Sequence, residues 1–396
     1  MSTPFISEQN AQKTSIIYSP AFRSILFQVL SLIAIVAFLY SIVSNTQANL
    51  EARGITTGFD FLSEKAGFNI SMSLIEYSGS DTYGRTFFVG LLNTVLVSFL
   101  GIVLASVLGF IIGVARLSSN WLIKKIASAY IEIFRNIPLL LQIFFWYFAV
   151  LQTLPSPRNS LSLGEAIFLN VRGLYVPSIG FNSEGYFLLG TLILGVCFTF
   201  VAHLWGKTYQ AHTGKQVSMG RVALMFCIAV PAVVFLFSSS PVTVNMPVLK
   251  GFNFSGGITV IPELVALLLA LSIYTAAFIA EIVRSGINSV SDGQKEAALS
   301  LGIGPVKTLK LIVIPQAMRV IVPPLTSQYL NLTKNSSLAM AIGYPDLVSV
   351  FAGTTLNQTG QAIEIIAMTM AVYLTLSLAT SLVMNVYNKK VMLTER

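Results

Sequence analysis

Residues 281–315 read EIVRSGINSVSDGQKEAALSLGIGPVKTLKLIVIP, a polar island bearing Lys and Arg between long apolar runs. Ser291, followed three residues later by Gln294, matches a capping box, so the spacing predicts a helix that starts just after Ser291. It runs as QKEAALSL and ends where Gly302 supplies a C′ residue with positive φ. Gly304-Pro305 then restarts the chain, with Pro305 suited to a first helical turn. Ala297, Ala298 and Leu301 are expected along one side, with Lys295 and Glu296 beside them. Two small residues let another surface approach while Leu301 fills a cleft. The segment therefore reads either as a helix lying on lipid headgroups or as a docking helix for a soluble partner. Lipid alone favours a bulkier and more continuous apolar face.

The surroundings of the island decide the class. The chain has 396 residues, 54% hydrophobic and only 10% charged, against roughly 25% charged in soluble globular proteins. This is the composition of an all-α polytopic membrane protein. Runs long enough for about 20 apolar residues per crossing are Ser24–Val43, Phe87–Ala115, Ala127–Leu151, Tyr186–Trp205, Val222–Phe237, Ile261–Val283, Leu309–Leu330 and Ala362–Tyr387. About eight transmembrane helices are expected. The first run is a retained anchor rather than a cleavable signal, because a long polar stretch precedes it and no A-x-A site follows.

Charge tests that count. With the N-terminus inside, the inner segments carry Lys13 and Arg23, then Arg116, Lys124 and Lys125, then Lys207, Lys215 and Arg221, then Arg284, Lys295, Lys307 and Lys310, and finally Lys389, Lys390 and Arg396. The outer segments hold only Arg53, Lys65, Arg85, Arg158, Arg172, Lys250 and Lys334, together with most of the acids. The alternation predicts both termini in the cytoplasm, and it accounts for the net charge of +8 without nucleic acid. Three outer loops are long: Asn45–Thr86, Pro155–Gly185 and Ser238–Val260. The second contains LSLGEAIFLN, expected as a short amphipathic helix on the membrane surface. These loops are either solvated connectors or a landing surface for an external partner.

Catalytic chemistry is not indicated. Cys197 and Cys227 lie inside apolar runs as packing residues, and His203 and His212 share no metal-type spacing. Gly206-Lys207-Thr208 resembles the end of a Walker A loop, but Val201 stands where the first glycine is required. No metal or nucleotide site is expected on this chain.

Two further stretches stand out. In Phe134-Arg135-Asn136-Ile137-Pro138-Leu139-Leu140-Leu141-Gln142, Pro138 starts a helix or kinks a longer one. Arg135 sits at a membrane boundary where it snorkels, and Gln142 must find a hydrogen-bond partner in the bundle or a cavity. In Pro323-Pro324 through Gln328, Asn331, Lys334, Asn335, Ser336 and Ser337, the paired prolines are expected to interrupt the helix. Irregular backbone at membrane depth needs protein or a watery cavity to satisfy it, so Gln328, Asn331, Ser336 and Ser337 are candidates for a substrate path. The competing reading puts the residues after Leu330 in an ordinary outer loop. Glu364 and the Glu281–Arg284 pair read as anchors or ion pairs.

Glu296-Ala297-Ala298, Gly302 and Ile312-Val313-Ile314-Pro315 together resemble the EAA motif, EAA-x3-G-x9-I-x-L-P, of ABC importer membrane subunits, with Ile314 in place of Leu. Arg135 to Gln142 is similar to the RGTPLL-Q pattern of permeases for polar amino acids, with Asn136 and Ile137 replacing Gly-Thr. The long form most resembles the membrane subunits of general L-amino acid uptake systems of Gram-negative bacteria. The resemblance implies a type I importer permease in the bacterial inner membrane. Its five-helix core would be joined by an N-terminal helix and a two-helix insertion. Residues 1–86 would be tail, anchor and periplasmic loop; 87–154 the first part of the core; 155–260 the insertion; and 261–396 the second part, with a coupling helix at about 292–302. Glu296, Ala297, Ala298, Leu301, Gly302 and Pro315 would serve ATPase coupling. The implied partners are a second permease, a cytoplasmic ATPase dimer that uses ATP and Mg, and a periplasmic amino acid-binding protein. The rival reading, an ion-gradient-driven secondary transporter, calls for acids deep in the spans and an inverted repeat; neither is evident.

Overall fold

The structure, a computed structural model, describes residues 20–52, 54, 57–214, 218–237 and 242–392. The expectations at Lys13, Arg53, Lys215, Arg396 and the start of the loop at Ser238 lie outside these residues. Helix α1 (Pro20–Ala52) precedes α2 (Tyr83–Ala115), whose first turn is capped by the Thr82 side chain accepting the Arg85 N–H. Helix α3 (Trp121–Asn136) is capped by Asn120; α4 (Leu139–Phe144) continues through a π turn, Phe145–Val150, and a 3-10 turn, Leu151–Thr153. Then come α5 (Ser183–Thr213), α6 (Met219–Leu224) and α7 (Val230–Phe237), the last two joined by a π turn. The remainder is α8 (Pro262–Asn288), α9 (Asp292–Ser300), α10 (Pro305–Thr308), α11 (Ile314–Asn335), α12 (Leu356–Thr359) and α13 (Ala362–Val391).

Among the described residues, six helical stretches are long and apolar enough to cross a bilayer, and the bent α3–α4 pair makes up to seven. Two expectations change. Ala127–Leu151 is not one straight span, because α3 and α4 meet at 105°. Pro138 lacks an N–H and forces Ile137 into an extended conformation (φ −92°, ψ 127°). Val222–Leu236, the apolar part of the continuous helical run Met219–Phe237, is shorter than the six stretches counted above.

Prolines 231 and 315 are accommodated in the same way. The π turn Leu309–Val313 ends with the Ile314 N–H bonded five residues back to Leu309 O, immediately before Pro315. The turn Met225–Ala229 ends likewise with Val230 N–H on Met225 O, before Pro231. Widening the preceding turn makes room for a ring that would otherwise clash with the carbonyl four residues earlier. Pro323 and Pro324 behave differently. They lie inside an uninterrupted α11, so the expected break is absent and only the carbonyls of Arg319 and Val320 lose their helical donors.

The core is built around α8. Ala266, Leu267, Ala270, Leu271, Ala276, Ala277 and Ala280 are fully buried along it, packed against α2, α3, α4 and α11. Helix α2 answers with Ala105, Gly109 and Gly113 at four-residue spacing, a small-residue seam that lets two backbones approach, while Gly101 one turn earlier faces Leu332 of α11. A Cβ added at Gly109 would lie 2.6 Å from Ile279 Cβ and 2.9 Å from Ala276 O. A second apolar cluster of Phe61, Tyr83, Leu347, Phe351 and Ile365 joins the loop after α1 to α2 and α13.

The loops between α4 and α5 and between α7 and α8 are not simple connectors. Strands β1 (Leu161–Leu163), β2 (Ile167–Asn170), β3 (Gly173–Val176), β4 (Ser178–Phe181), β5 (Val242–Asn245), β6 (Val248–Lys250), β7 (Asn253–Ser255) and β8 (Ile258–Val260) form three small antiparallel sheets in the order β1-β2-β3-β8, β4-β5 and β6-β7. LSLGEAIFLN is therefore a β-hairpin, not an amphipathic helix. Its apolar residues alternate with period two at Leu161 and Leu163, Gly164 turns the chain at φ +65°, and Leu169 faces Leu161 across the pair. The fold remains mostly helical, with this small β platform added.

Candidate coupling helix and translocation face

Helix α9 hangs from the end of α8 opposite the β platform. It begins after Ser291 as expected, but not through a capping box. The Ser291 side chain makes no cap bond; its backbone carbonyl accepts the Gln294 N–H at 3.1 Å. The Gln294 side chain instead accepts from Gln316 of α11 at 3.4 Å, tying the helix to the next span. The C-terminus is a Schellman motif. Gly302 sits at φ +71°, its N–H bonds Leu299 O at 2.9 Å, and the Ile303 N–H bonds Ala298 O at 3.0 Å.

The faces of α9 divide differently from the expected stripe. Ala298 is buried at 1% exposure, whereas Leu301 is 79% exposed and Glu296, Ala297 and Gly302 are also exposed. Residues one apart on a helix point about 100° from each other, so Ala298 packs inward while Ala297 and Leu301 share the outer edge. A groove of about 270 Å³ is lined by Ile287, Lys295 and Leu299 together with Pro305, Thr308, Leu309 and Val313. Pro315 lies exposed in the first turn of α11.

The α3–α4 bend is held from inside. Gln142, 4% exposed, donates through Nε2 to Phe134 O and Ile137 O, both at 3.0 Å. It thus takes up carbonyls that Pro138 and the extended Ile137 leave unbonded. Asn136 donates to Glu132 O at 2.7 Å, and the Arg135 guanidinium lies 5.1 Å from the centre of the Phe278 ring of α8. Nearby, Glu281 binds Arg116 at the end of α2 and accepts from Arg284 Nε at 3.1 Å, the ion pair the sequence suggests. Glu364 accepts the Gly58 N–H at 2.7 Å, which places it as an anchor.

Residues after Leu330 do not form a loop: α11 runs on to Asn335 and passes into a 3-10 turn, Ser336–Ile342. Val320, Pro323, Pro324, Ser327, Asn331 and Lys334 are exposed and recur every three or four residues, so they make one stripe. Gln328 is half-buried at its border. The undonated carbonyls of Arg319 and Val320 belong to this region, where lipid could not satisfy them. Ser336 is fully buried and donates to Thr333 O at 2.7 Å, which turns it away from any open face. Ser337 lines a groove of about 540 Å³ between α11 and α13, with Lys334, Thr369, Tyr373 and Ser377.

One polar centre escapes the sequence reading. Asp346 is fully buried; it accepts the Ser349 N–H at 2.8 Å and the Tyr373 hydroxyl at 3.3 Å. Asn93 of α2 donates to Pro345 O at 2.9 Å, and Thr94 accepts the Leu347 N–H at 3.0 Å. The signal was present as an N-cap: Pro345-Asp346 precedes the helical run from Val348.

A helical membrane chain with a capped polar helix at one end of its core has the build of a transporter's membrane subunit. Residues 213–393 match the family described as "Binding-protein-dependent transport system inner membrane component". The Escherichia coli chain YhdX, provisionally named an amino-acid ABC transporter permease, is 54% identical over 378 residues, covering 96% of both chains. The general L-amino acid transport system permease AapQ of Rhizobium johnstonii is 49% identical over 383 residues, covering 96% of this chain and 95% of its own. BztB of Rhodobacter capsulatus, named as a glutamate/glutamine/aspartate/asparagine transport system permease, is 42% identical over 412 residues, with 96% of each chain covered. The chain belongs to this family of inner-membrane permease components of ABC transporters. Such a subunit does not hydrolyse ATP itself, and the ion-gradient-driven alternative finds no support.

Proposed function

We propose that this chain is one of two permease subunits of an importer that moves amino acids into the cytoplasm, driven by a separate ATPase pair. The observation that carries the reading is α9. Its Schellman cap and the buried Ala298 fix it to the core, while Glu296, Ala297 and Leu301 are left open on its outer edge. That edge receives the ATPase, which uses ATP and Mg, and α8 passes the movement into the bundle. In this orientation both termini are cytoplasmic and the β platform is periplasmic. Residues 87–154 and 261–396 act as the translocating core, and 155–260 is an insertion within it.

The path runs along the α11 stripe, with Asn331 and Ser337 open to it and Gln328 at its edge, and a second permease closes the other side. Every amino acid carries a carboxylate, and Lys334 places a cation in the α11–α13 groove beside the Ser337, Thr369 and Ser377 hydroxyls. The test is uptake of labelled amino acids by proteoliposomes containing the permeases with and without the ATPase. Uptake that persists without the ATPase and follows a proton or sodium gradient would sink the proposal. Glu296→Lys should lower transport at normal insertion.

A further inference from the structure

The β platform is more ordered than a solvated connector requires. Asn170 is fully buried, its side chain donating to Ser160 Oγ at 3.0 Å and accepting the Arg172 N–H at 2.8 Å. Tyr175, 2% exposed, donates to Asn253 Oδ1 at 2.9 Å, joining strands that lie far apart in sequence. Phe254 packs between Phe168 and Tyr175, with ring centres 4.6 and 4.8 Å away. The platform is also fastened to the transmembrane core. The Val171 N–H bonds Pro155 O at 3.0 Å, Leu154 and Val260 pack against the main apolar cluster, and β8 runs directly into α8 through Ile261.

On this rigid base stands one exposed feature built from side chains that dominate protein interfaces. Phe252 is 72% exposed. The Arg158 guanidinium lies 4.5 Å from its ring centre, and Arg172 Nη1 donates to its carbonyl at 3.3 Å. Lys250 is exposed two residues away. Within residues 155–181 and 242–260 the only acid is Glu165, so the surface is basic around an aromatic centre. A segment merely resting on headgroups needs no buried Asn170 or Tyr175–Asn253 bond to hold it above the membrane.

We infer that the Arg158–Arg172–Phe252 cluster is the docking seat for the soluble solute-binding protein, and that the seat meets an acidic face on that partner. This rests on the proposed importer function and goes beyond it by assigning the contact. Helix α8 is the link. The seat sits on its N-terminal end and α9 hangs from its C-terminal end, roughly 40 Å away for 27 residues. Docking outside and hydrolysis inside thus act on opposite ends of one buried rod.

The experiment uses the whole transporter in nanodiscs of phosphatidylcholine, with its solute-binding protein added at increasing concentration and ATP hydrolysis recorded. For Arg158→Glu/Arg172→Glu, the half-saturating concentration should rise about 10-fold or more, while basal hydrolysis and maximal stimulation stay unchanged. Phe252→Ala and Lys250→Glu, milder changes that leave the buried bonds intact, should each shift it in the same direction. Added salt should weaken docking of the wild type more than of the charge-reversed variant. Half-saturation within about twofold of the wild type in all three variants would overturn the assignment. So would a shift that disappears when phosphatidylglycerol is added, which would reassign the cluster to lipid. A wild-type complex whose hydrolysis ignores the binding protein altogether would instead refute the importer function itself.

Discussion

Changing Gly302 to valine isolates the contribution of a single backbone angle to energy coupling. Gly302 holds φ +71°, and a Cβ built there meets nothing within 4 Å, so no steric contact contributes and the cost is conformational. An L-residue in the left-handed region costs roughly 1–2 kcal/mol, with a β-branched side chain at the upper end. If the chain leaves that region, two bonds open together: Gly302 N–H to Leu299 O at 2.9 Å and Ile303 N–H to Ala298 O at 3.0 Å. Helix α9 has only nine residues, so losing its last turn displaces Leu301, the exposed apolar contact. A penalty of about 1–2 kcal/mol lowers the ratio of capped to frayed α9 roughly 5- to 30-fold. The assay is the affinity of the ATPase subunit for the permease complex, together with amino acid transported per ATP hydrolysed. G302V should weaken both, whereas G302N, whose side chain tolerates this region, should stay close to the wild type. Membrane insertion should not change in either. If G302V docks and couples as the wild type does, α9 is not the ATPase contact.

Other residues give independent tests. Gly109→Val places its Cβ 2.6 Å from Ile279 Cβ. With backbone on one side it should cost at least about 1–3 kcal/mol, read as a lower melting temperature in detergent; an unchanged value would refute close α2–α8 packing. Gln142→Leu leaves the part-buried Phe134 and Ile137 carbonyls without their donor, at about 1 kcal/mol for each lost bond, and amide exchange at the bend should speed up. Gln142→Glu should loosen the bend less, because a buried carboxyl held neutral keeps one O–H and can donate to one of the two carbonyls; wild-type exchange in Gln142→Leu would mean the amide does not hold the bend. Lys334→Gln should reduce amino acid uptake about 10-fold, a change of about 1.4 kcal/mol, while ATPase docking is preserved. Equal uptake would remove Lys334 from the path.

The parts of this protein that local sequence could reveal are those fixed by local demands. Gly302 had to end α9 because the turn needs positive φ, and Pro138 marked the bend because it lacks a donor. The same logic misled at Pro323 and Pro324. Both rings are compatible with helical φ, and α11 is held by packing at Ile321, Val322 and Leu325, so the helix continues. The capping box failed for a tertiary reason: Gln294 found Gln316 of another helix. The β platform was hidden because β3 pairs with β8, whose residues are supplied more than 80 positions later. Asp346 is not legible locally because its distant partner, Tyr373, comes from α13, and α2 binds its neighbours Pro345 and Leu347 instead.

The pairing of β4 with β5 has a consequence for how the gene could change. Phe181 stands opposite Val242 in that ladder, so the chain that leaves through α5 is brought back to its point of departure. Whatever lies between must return to the same side of the membrane, and its removal preserves the direction of every later helix. A two-residue turn such as Asn-Gly could close the ladder at that position. The stem is thus a natural splice point: relatives could lose or acquire the intervening helices in one event without rebuilding the transporter around them.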